Sequence, residues 1–253
     1  MKNTIFQMDN IINSYLSRHG FTSLAPKAVL FDMDGVLYNS MPNHAIAWKR
    51  CMAEYGLKMT EEEAFLYEGM RGVETIKIIA GKQWHREVSD EEAAKIYRRK
   101  SEIYSGLDTA KMIEGVYDLQ KSITRRGWNI GVVTGSGQAS LLERILHDFR
   151  GLVNPNVMVS AKDVTKGKPS PDPYIKGMKK AGTEPWETIV VENAPLGVRA
   201  AVTARCFTMA INTGPLPDEA LAKEGADMIL PNMQSLTEFL SKRFPIDDDT
   251  LFD

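Results

Sequence analysis

Five short, largely apolar runs, each stopped by polar residues or glycine, restrict what this chain can fold into. Ala28–Phe31 leads into Asp32-Met33-Asp34-Gly35, and Ile130–Val133 leads into Thr134-Gly135-Ser136-Gly137. Thr188–Val191 ends in Glu192-Asn193, Phe207–Ile211 in Asn212-Thr213-Gly214, and Met228–Leu230 in Pro231-Asn232. Compact runs of this kind fit strands buried on both faces, as in a parallel sheet. Helical patterns lie between them. Leu141, Leu142, Ile145, Leu146 and Phe149 share one face; Tyr174, Met178 and Ala181 share another. Strands alternating with helices predict an α/β fold with a mainly parallel sheet.

Pro42 to Glu114 breaks that rhythm and reads as helices without a strand. Thr60-x-x-Glu63 and Ser89-x-x-Glu92 are capping-box patterns, each just before a helical stretch. Trp48, Met52 and Tyr55 share a stripe; Ile96, Arg99 and Ile103 form part of another. The expected organisation is an N-terminal helical extension (1–26), a core (27–41 and 115–244), a helical insert (42–114) and an acidic tail (245–253) that frays. In the extension Ile5, Met8, Ile12 and Tyr15 recur at helical spacing. An extra helix packed on the core is the simplest expectation, and a dimerisation helix the alternative. The oligomeric expectation is a monomer or weak homodimer.

Composition narrows the class of partner. The chain is 43% hydrophobic and 25% charged, which suits a folded domain with a sizeable core. Its formal net charge is -2, which gives no basic footprint for nucleic acid. No apolar run is long enough to span a bilayer, and Asp9, Asn10 and Asn13 interrupt any secretory-type apolar segment. Cys51 and Cys206 lack the spacing of a metal knuckle or redox pair, so a reduced, cytoplasmic setting is expected.

In open parallel sheets ligands bind beyond the carboxyl ends of the strands. Asp32, Asp34, Thr134, Glu192 and Asn193 all stand at such ends and are expected to converge on one mouth. Lys168, in a turn-rich stretch before a helix, can reach the same place. Carboxylates with a nearby amide carbonyl suit a hard, oxygen-preferring ion, with Mg²⁺ the usual candidate beside phosphate. One carboxylate can serve as a covalent nucleophile, and a second can donate and accept protons. Thr134 and the glycines after it offer an anion site at a helix start, and Lys168 a cation against phosphoryl oxygens. These parts make a phosphoryl-transfer site.

Asp32-Met33-Asp34-Gly35-Val36-Leu37, Val133-Thr134-Gly135-Ser136, Gly167-Lys168-Pro169 and Val191-Glu192-Asn193-Ala194-Pro195-Leu196-Gly197 together resemble the four ordered motifs of the haloacid dehalogenase superfamily. The resemblance covers about Lys27 to Phe244 and implies a Rossmann-like, doubly wound core with an α-helical cap in the position of the insert. It implies Asp32 as nucleophile and Mg²⁺ ligand, and Asp34 as general acid/base with its backbone carbonyl on the metal. Thr134 and Gly135 would bind phosphate, and Lys168 would stabilise it. The fourth motif departs from the common Glu-Asp-Ser. Here Asn193 can ligate only through its amide oxygen, so Glu192 is expected to carry more of the metal binding.

Ser40, His44 and Trp48 resemble the start of the cap in β-phosphoglucomutases and related sugar-phosphate phosphatases. In the mutases a histidine at this position couples cap closure to the acid/base aspartate. Mutases also carry a lysine just before the glycine of the next recognition stretch and an arginine a few residues after it. Here Glu68 precedes Gly69, and Arg71 comes one place early. The expectation is therefore a Mg²⁺-dependent phosphatase of a small phosphorylated metabolite, a sugar phosphate, with His44 and Arg71 among its substrate contacts. A phosphomutase with the same core chemistry is the alternative. A non-catalytic, phospho-ligand-binding regulator is a third reading.

Overall fold

The computed structural model describes residues 2–246, so the acidic tail beyond Ile246 and the Ile5 side chain lie outside the described residues. In chain order the helices and strands are α1 (Lys2–His19), β1 (Ala28–Phe31), α2 (Met41–Glu54), α3 (Glu61–Leu66), α4 (Gly72–Trp84), α5 (Asp90–Ser105), α6 (Val116–Thr124), β2 (Asn129–Val133), α7 (Ala139–Asp148), β3 (Met158–Val159), α8 (Asp172–Ala181), β4 (Thr188–Glu192), α9 (Pro195–Thr203), β5 (Phe207–Ile211), α10 (Asp218–Ala222), β6 (Met228–Leu230) and α11 (Met233–Arg243). The six strands are all parallel, in the order β3-β2-β1-β4-β5-β6. This is the doubly wound, Rossmann-like order, and its direction reverses between β1 and β4.

Both faces of the sheet are covered, which is why its strands read as apolar runs. Val29, Phe31, Ile189 and Val191 join one cluster with Tyr15, Leu119, Ile123 and Leu236 from α1, α6 and α11. Leu30 and Val190, one residue out of phase, join Tyr174, Met178, Ala200 and Ala201 from α8 and α9 on the other face. The extension packs as an extra helix: Tyr15 is fully buried, its hydroxyl donates to the Arg205 carbonyl at 2.9 Å, and its ring meets Phe207 edge-on.

Helices α2 to α5 build a separate apolar cluster around Met52, Phe65, Ile76 and Ile96. Two strands of chain join them to the core. Asn39 donates to the Lys111 carbonyl at 2.8 Å, and Ile113 donates to the Leu37 carbonyl at 2.9 Å. The Thr60 capping box forms in both directions. The Ser89 pattern forms by half: Ser89 caps Glu92, but the Glu92 carboxylate turns to Arg86 instead.

The structure corrects several sequence expectations. The edge strand β3 has only two residues, too few to show a pattern. Leu146 is exposed, because the turn of α7 carries it past the buried Ile145 and Phe149. The buried face of α5 is Ala93, Ile96 and Lys100, while Arg99 turns outward to pair with Glu54. Among the described residues no helix is long and apolar enough to cross a membrane.

Candidate active site

The parallel register aligns Phe31 with Val132 on one side and Val191 on the other. Asp32 therefore leaves β1 beside the ends of β2 and β4, in the crevice where the sheet order reverses. The end of β4 brings Glu192 to the same place, the loops after β2 and β4 bring Thr134, Gly135 and Asn193, and the segment before α8 adds Lys168.

The centre is a buried ionic cluster. Lys168 Nζ bonds to Asp32 Oδ1, to Glu192 Oε1 at 2.6 Å and to the Val133 carbonyl at 3.0 Å. Burial, then the nearby charges of Glu192 and Asp34, push the Asp32 carboxyl above its ordinary range, against the pull of Lys168. Burial also opposes the Lys168 ammonium, but Asp32 and Glu192 outweigh it and hold the lysine charged.

The Glu192 carboxylate, expected to carry metal binding, turns to Lys168 and the start of α9. Its Oε1 also accepts from Tyr174 at 2.5 Å, and its Oε2 accepts from the backbone of Asn193 and Ala194 at 3.0 and 3.3 Å. Both oxygens are thus occupied in anchoring Lys168 and the start of α9. A Cβ on Gly197 would overlap this carboxylate, so glycine is required there.

A second chain of bonds reaches Asp34 from the helical insert. Lys100 Nζ lies 2.6 Å from His44 Nδ1, and His44 Nε2 lies 3.0 Å from Asp34 Oδ1. The charged lysine must donate, so the neutral His44 carries its proton on Nε2 and donates to Asp34. Burial and the Lys100 charge keep His44 below its ordinary value. Ser40 donates to the same carboxyl oxygen at 2.6 Å. Burial works against the Asp34 carboxylate, yet His44, Ser40 and Lys100 together hold it below the ordinary range. Lys100 itself is pushed down to about 8 by burial. The Tyr104 ring stacks on His44 with centroids 4.2 Å apart.

The turn between α3 and α4 closes over the core. Glu68 is buried, and its Oε1 accepts from Asn193 Nδ2 at 2.9 Å. Burial and the charge of Asp32 push the Glu68 carboxyl well above the glutamate range. Gly35 has a positive φ of 76° and no Cβ, and the Asn193 amide occupies the space a side chain would need. Asn193 Oδ1 is buried with no hydrogen-bond partner among the described residues.

A cleft of about 500 Å³, its open mouth included, lies between insert and core. That falls in the range of small-molecule sites. Asp32, Asp34, His44, Trp48, Glu68 and Lys100 are among its walls. Gly135 and Ser136 line it too, while Thr134 lies behind them against Lys168 and accepts from the Ser136 backbone at 3.0 Å. Arg71, expected as a substrate contact, does not reach it. Its guanidinium donates to the Thr165 carbonyl at 2.6 Å and faces Glu74.

The sequence reading missed Lys100, Tyr174 and the placement of Glu68. Lys100 had a signal: it follows Ile96 by four residues and Ala93 by seven, on the apolar face of α5. Asp163 holds a turn, accepting from Ser160 backbone and side chain.

Among the described residues no group of three His, Cys, Asp or Glu side chains is spaced to hold a metal ion. A cation here must also draw on carbonyl and amide oxygens. The Asp32 carboxylate, the Asp34 carbonyl and the unpartnered Asn193 Oδ1 form an all-oxygen set of that kind, which fits Mg²⁺.

Comparison with known proteins agrees with this geometry. The chain is 30% identical over 213 residues to hexitol phosphatase A of Escherichia coli, covering 83% of this chain and 93% of that one. It is 25% identical over 224 residues to the beta-phosphoglucomutase of Bacillus subtilis, covering 83% and 92%. A solved structure named "Putative beta-phosphoglucomutase from Bacteroides vulgatus" superposes with a TM-score of 0.89 at 42% identity, covering 93% of this chain and 97% of that one. Residues 29–211, which take in both the helical insert and the loops that carry the site, match the haloacid dehalogenase-like hydrolase family, and the chain is an enzyme belonging to that family.

Proposed function

We propose that this enzyme is a Mg²⁺-dependent phosphatase of a small sugar phosphate that works through an aspartyl phosphate on Asp32. The observation that carries the choice of phosphatase is the cleft wall. A phosphomutase must hold a second phosphate while the first is transferred, and guanidinium groups suit that task. Among the described residues no arginine lines this cleft, Arg71 being committed to Thr165, and the Lys100 ammonium is engaged with His44. The similarity to hexitol phosphatase A supports the same choice.

In the first step an Asp32 carboxylate oxygen attacks phosphorus. The P–O bond to the sugar breaks, and the leaving oxygen takes a proton from Asp34, which must first bind that proton as substrate enters because the resting site favours its carboxylate. In the second step Asp34 accepts a proton from water, whose oxygen attacks the acyl phosphate. The P–O bond to Asp32 breaks, inorganic phosphate departs, and the Asp32 carboxylate is restored. Lys168 holds Asp32 in place and offers positive charge to the phosphoryl oxygens, beside the Gly135 backbone. Asp32, the Asp34 carbonyl and Asn193 would hold Mg²⁺, which when bound supplies charge neutralisation at the phosphoryl group. The insert acts as a cap that excludes bulk water during the transfer. The two free, buried cysteines support a cytoplasmic setting.

A phosphomutase is the second reading, favoured by the Lys100–His44–Asp34 chain, which ties the insert to the acid/base residue. Product analysis with Mg²⁺ and a panel of hexose, pentose and hexitol phosphates separates the two. Stoichiometric free phosphate is expected. Conversion of β-glucose 1-phosphate to glucose 6-phosphate with little free phosphate would overturn the phosphatase reading.

A further inference from the structure

The closed cleft holds more carboxyl groups than cations. Those of Asp32, Asp34, Glu68 and Glu192 face the two buried ammonium groups of Lys168 and Lys100. Lys168 is spent on Asp32 and Glu192. Glu68, 6% exposed, has as its one side-chain hydrogen bond among the described residues that from the amide of Asn193. That amide turns its Nδ2 to Glu68 and leaves Oδ1 buried without a partner. A buried carboxylate beside an unpaired amide oxygen is poorly satisfied unless a cation joins them.

We infer that Glu68 is a metal-binding residue carried by the cap: its carboxylate supplies the negative charge that Asn193 lacks, and with Asp32, the Asp34 carbonyl and Asn193 Oδ1 it holds the divalent cation. This rests on the proposal that the site takes Mg²⁺. The consequence is that cation binding and cap closure are one event. Glu68 comes from the turn between α3 and α4, whose Gly69 carbonyl packs against Gly135. Opening the cap removes a ligand, and filling the site draws the cap shut. A site with two fixed carboxylates in the fourth motif would not need this coupling.

The test uses Mn²⁺ as the probe and electron paramagnetic resonance of the full chain to count bound ion, without turnover. Glu68→Gln keeps an acceptor for the Asn193 amide and removes only the charge, so it separates a ligand from a simple latch. It should weaken Mn²⁺ binding by about tenfold or more. Adding Asn193→Asp to that variant should restore most of the affinity. Mg²⁺ should slow amide hydrogen exchange at residues 67–72 in the parent protein and not in Glu68→Gln. Unchanged Mn²⁺ affinity in a folded Glu68→Gln protein, with parent binding intact and lost in Asp32→Asn, would overturn the role of Glu68 alone. Absence of Mn²⁺ binding in the parent would overturn the cation proposal beneath it as well.

Discussion

His44 Nε2 stands 3.0 Å from Asp34 Oδ1, and the two residues belong to different parts of the molecule. His44 is on α2, the first helix of the insert, and Asp34 is on the loop after the central strand β1. The bond exists only when insert and core meet. It sets the protonation of Asp34, so the state of the proposed acid/base residue depends on closure.

His44→Ala should therefore change the pH profile as well as the rate. Burial remains when the hydrogen bond is lost, so the Asp34 carboxyl rises. Asp34 must carry its proton for the first step, so the basic limb of kcat/KM should move to higher pH, and kcat should fall by about 10²-fold at most. A lower rate with an unmoved limb would assign His44 a packing role.

Lys100 should cost the protein stability at neutral pH. Burial lowers it from 10.5 to about 8, against the charges of Asp34 and Cys51, with His44 and Tyr104 packed beside it. Below pH 8 both folded and unfolded chains carry the charge, and the burial penalty is fully present. Between pH 8 and 10.5 the folded chain has lost the proton and the unfolded chain keeps it, so stability rises with pH. The penalty is on the order of 3 kcal/mol. Lys100→Met removes this titration but also the bond to His44, a pH-independent loss. Urea unfolding at several pH values should show Lys100→Met at its best, relative to the parent, at pH 7, with that difference shrinking above pH 8. A constant difference would contradict the burial of a charged Lys100.

Glu192→Gln should act on the fold. It removes one partner of a buried ion pair and weakens the acceptor of Tyr174 and two backbone groups. Losing a buried partner of this kind costs about 3 kcal/mol. The urea midpoint should fall accordingly, and an unchanged midpoint would show that Asp32 alone satisfies Lys168.

Arg71→Ala should leave KM for a sugar monophosphate within about threefold of the parent, because the guanidinium is directed to Thr165. A large rise in KM would mean that Arg71 swings into the cleft when substrate binds, as the mutase reading requires.

The sheet was legible because its strands are buried on both faces, so Ala28–Phe31, Phe207–Ile211 and Met228–Leu230 stand out as apolar runs. Met158–Val159 was not, since two residues carry no period. Strand ends also located Asp32, Asp34, Thr134 and Asn193. They did not tell which way a side chain turns there. Glu192 bends back to Lys168 and Tyr174, and only the packing of α8 and α9 decides that. Lys100, Glu68 and Arg71 depend on how the insert docks, a long-range relation that local pattern does not encode. Hence the sequence reading passed over Lys100 and put Arg71 among the substrate contacts.

The central claim is that Asp32 becomes phosphorylated. Rapid quenching of the enzyme with a ³²P-labelled sugar phosphate and Mg²⁺, followed by peptide mapping, tests it directly. The account predicts an acid-stable, hydroxylamine-labile label on the peptide containing Asp32, and none in Asp32→Asn, whose turnover should fall by about 10⁴-fold or more. Substantial turnover by a folded Asp32→Asn protein, or label on another residue, would contradict it.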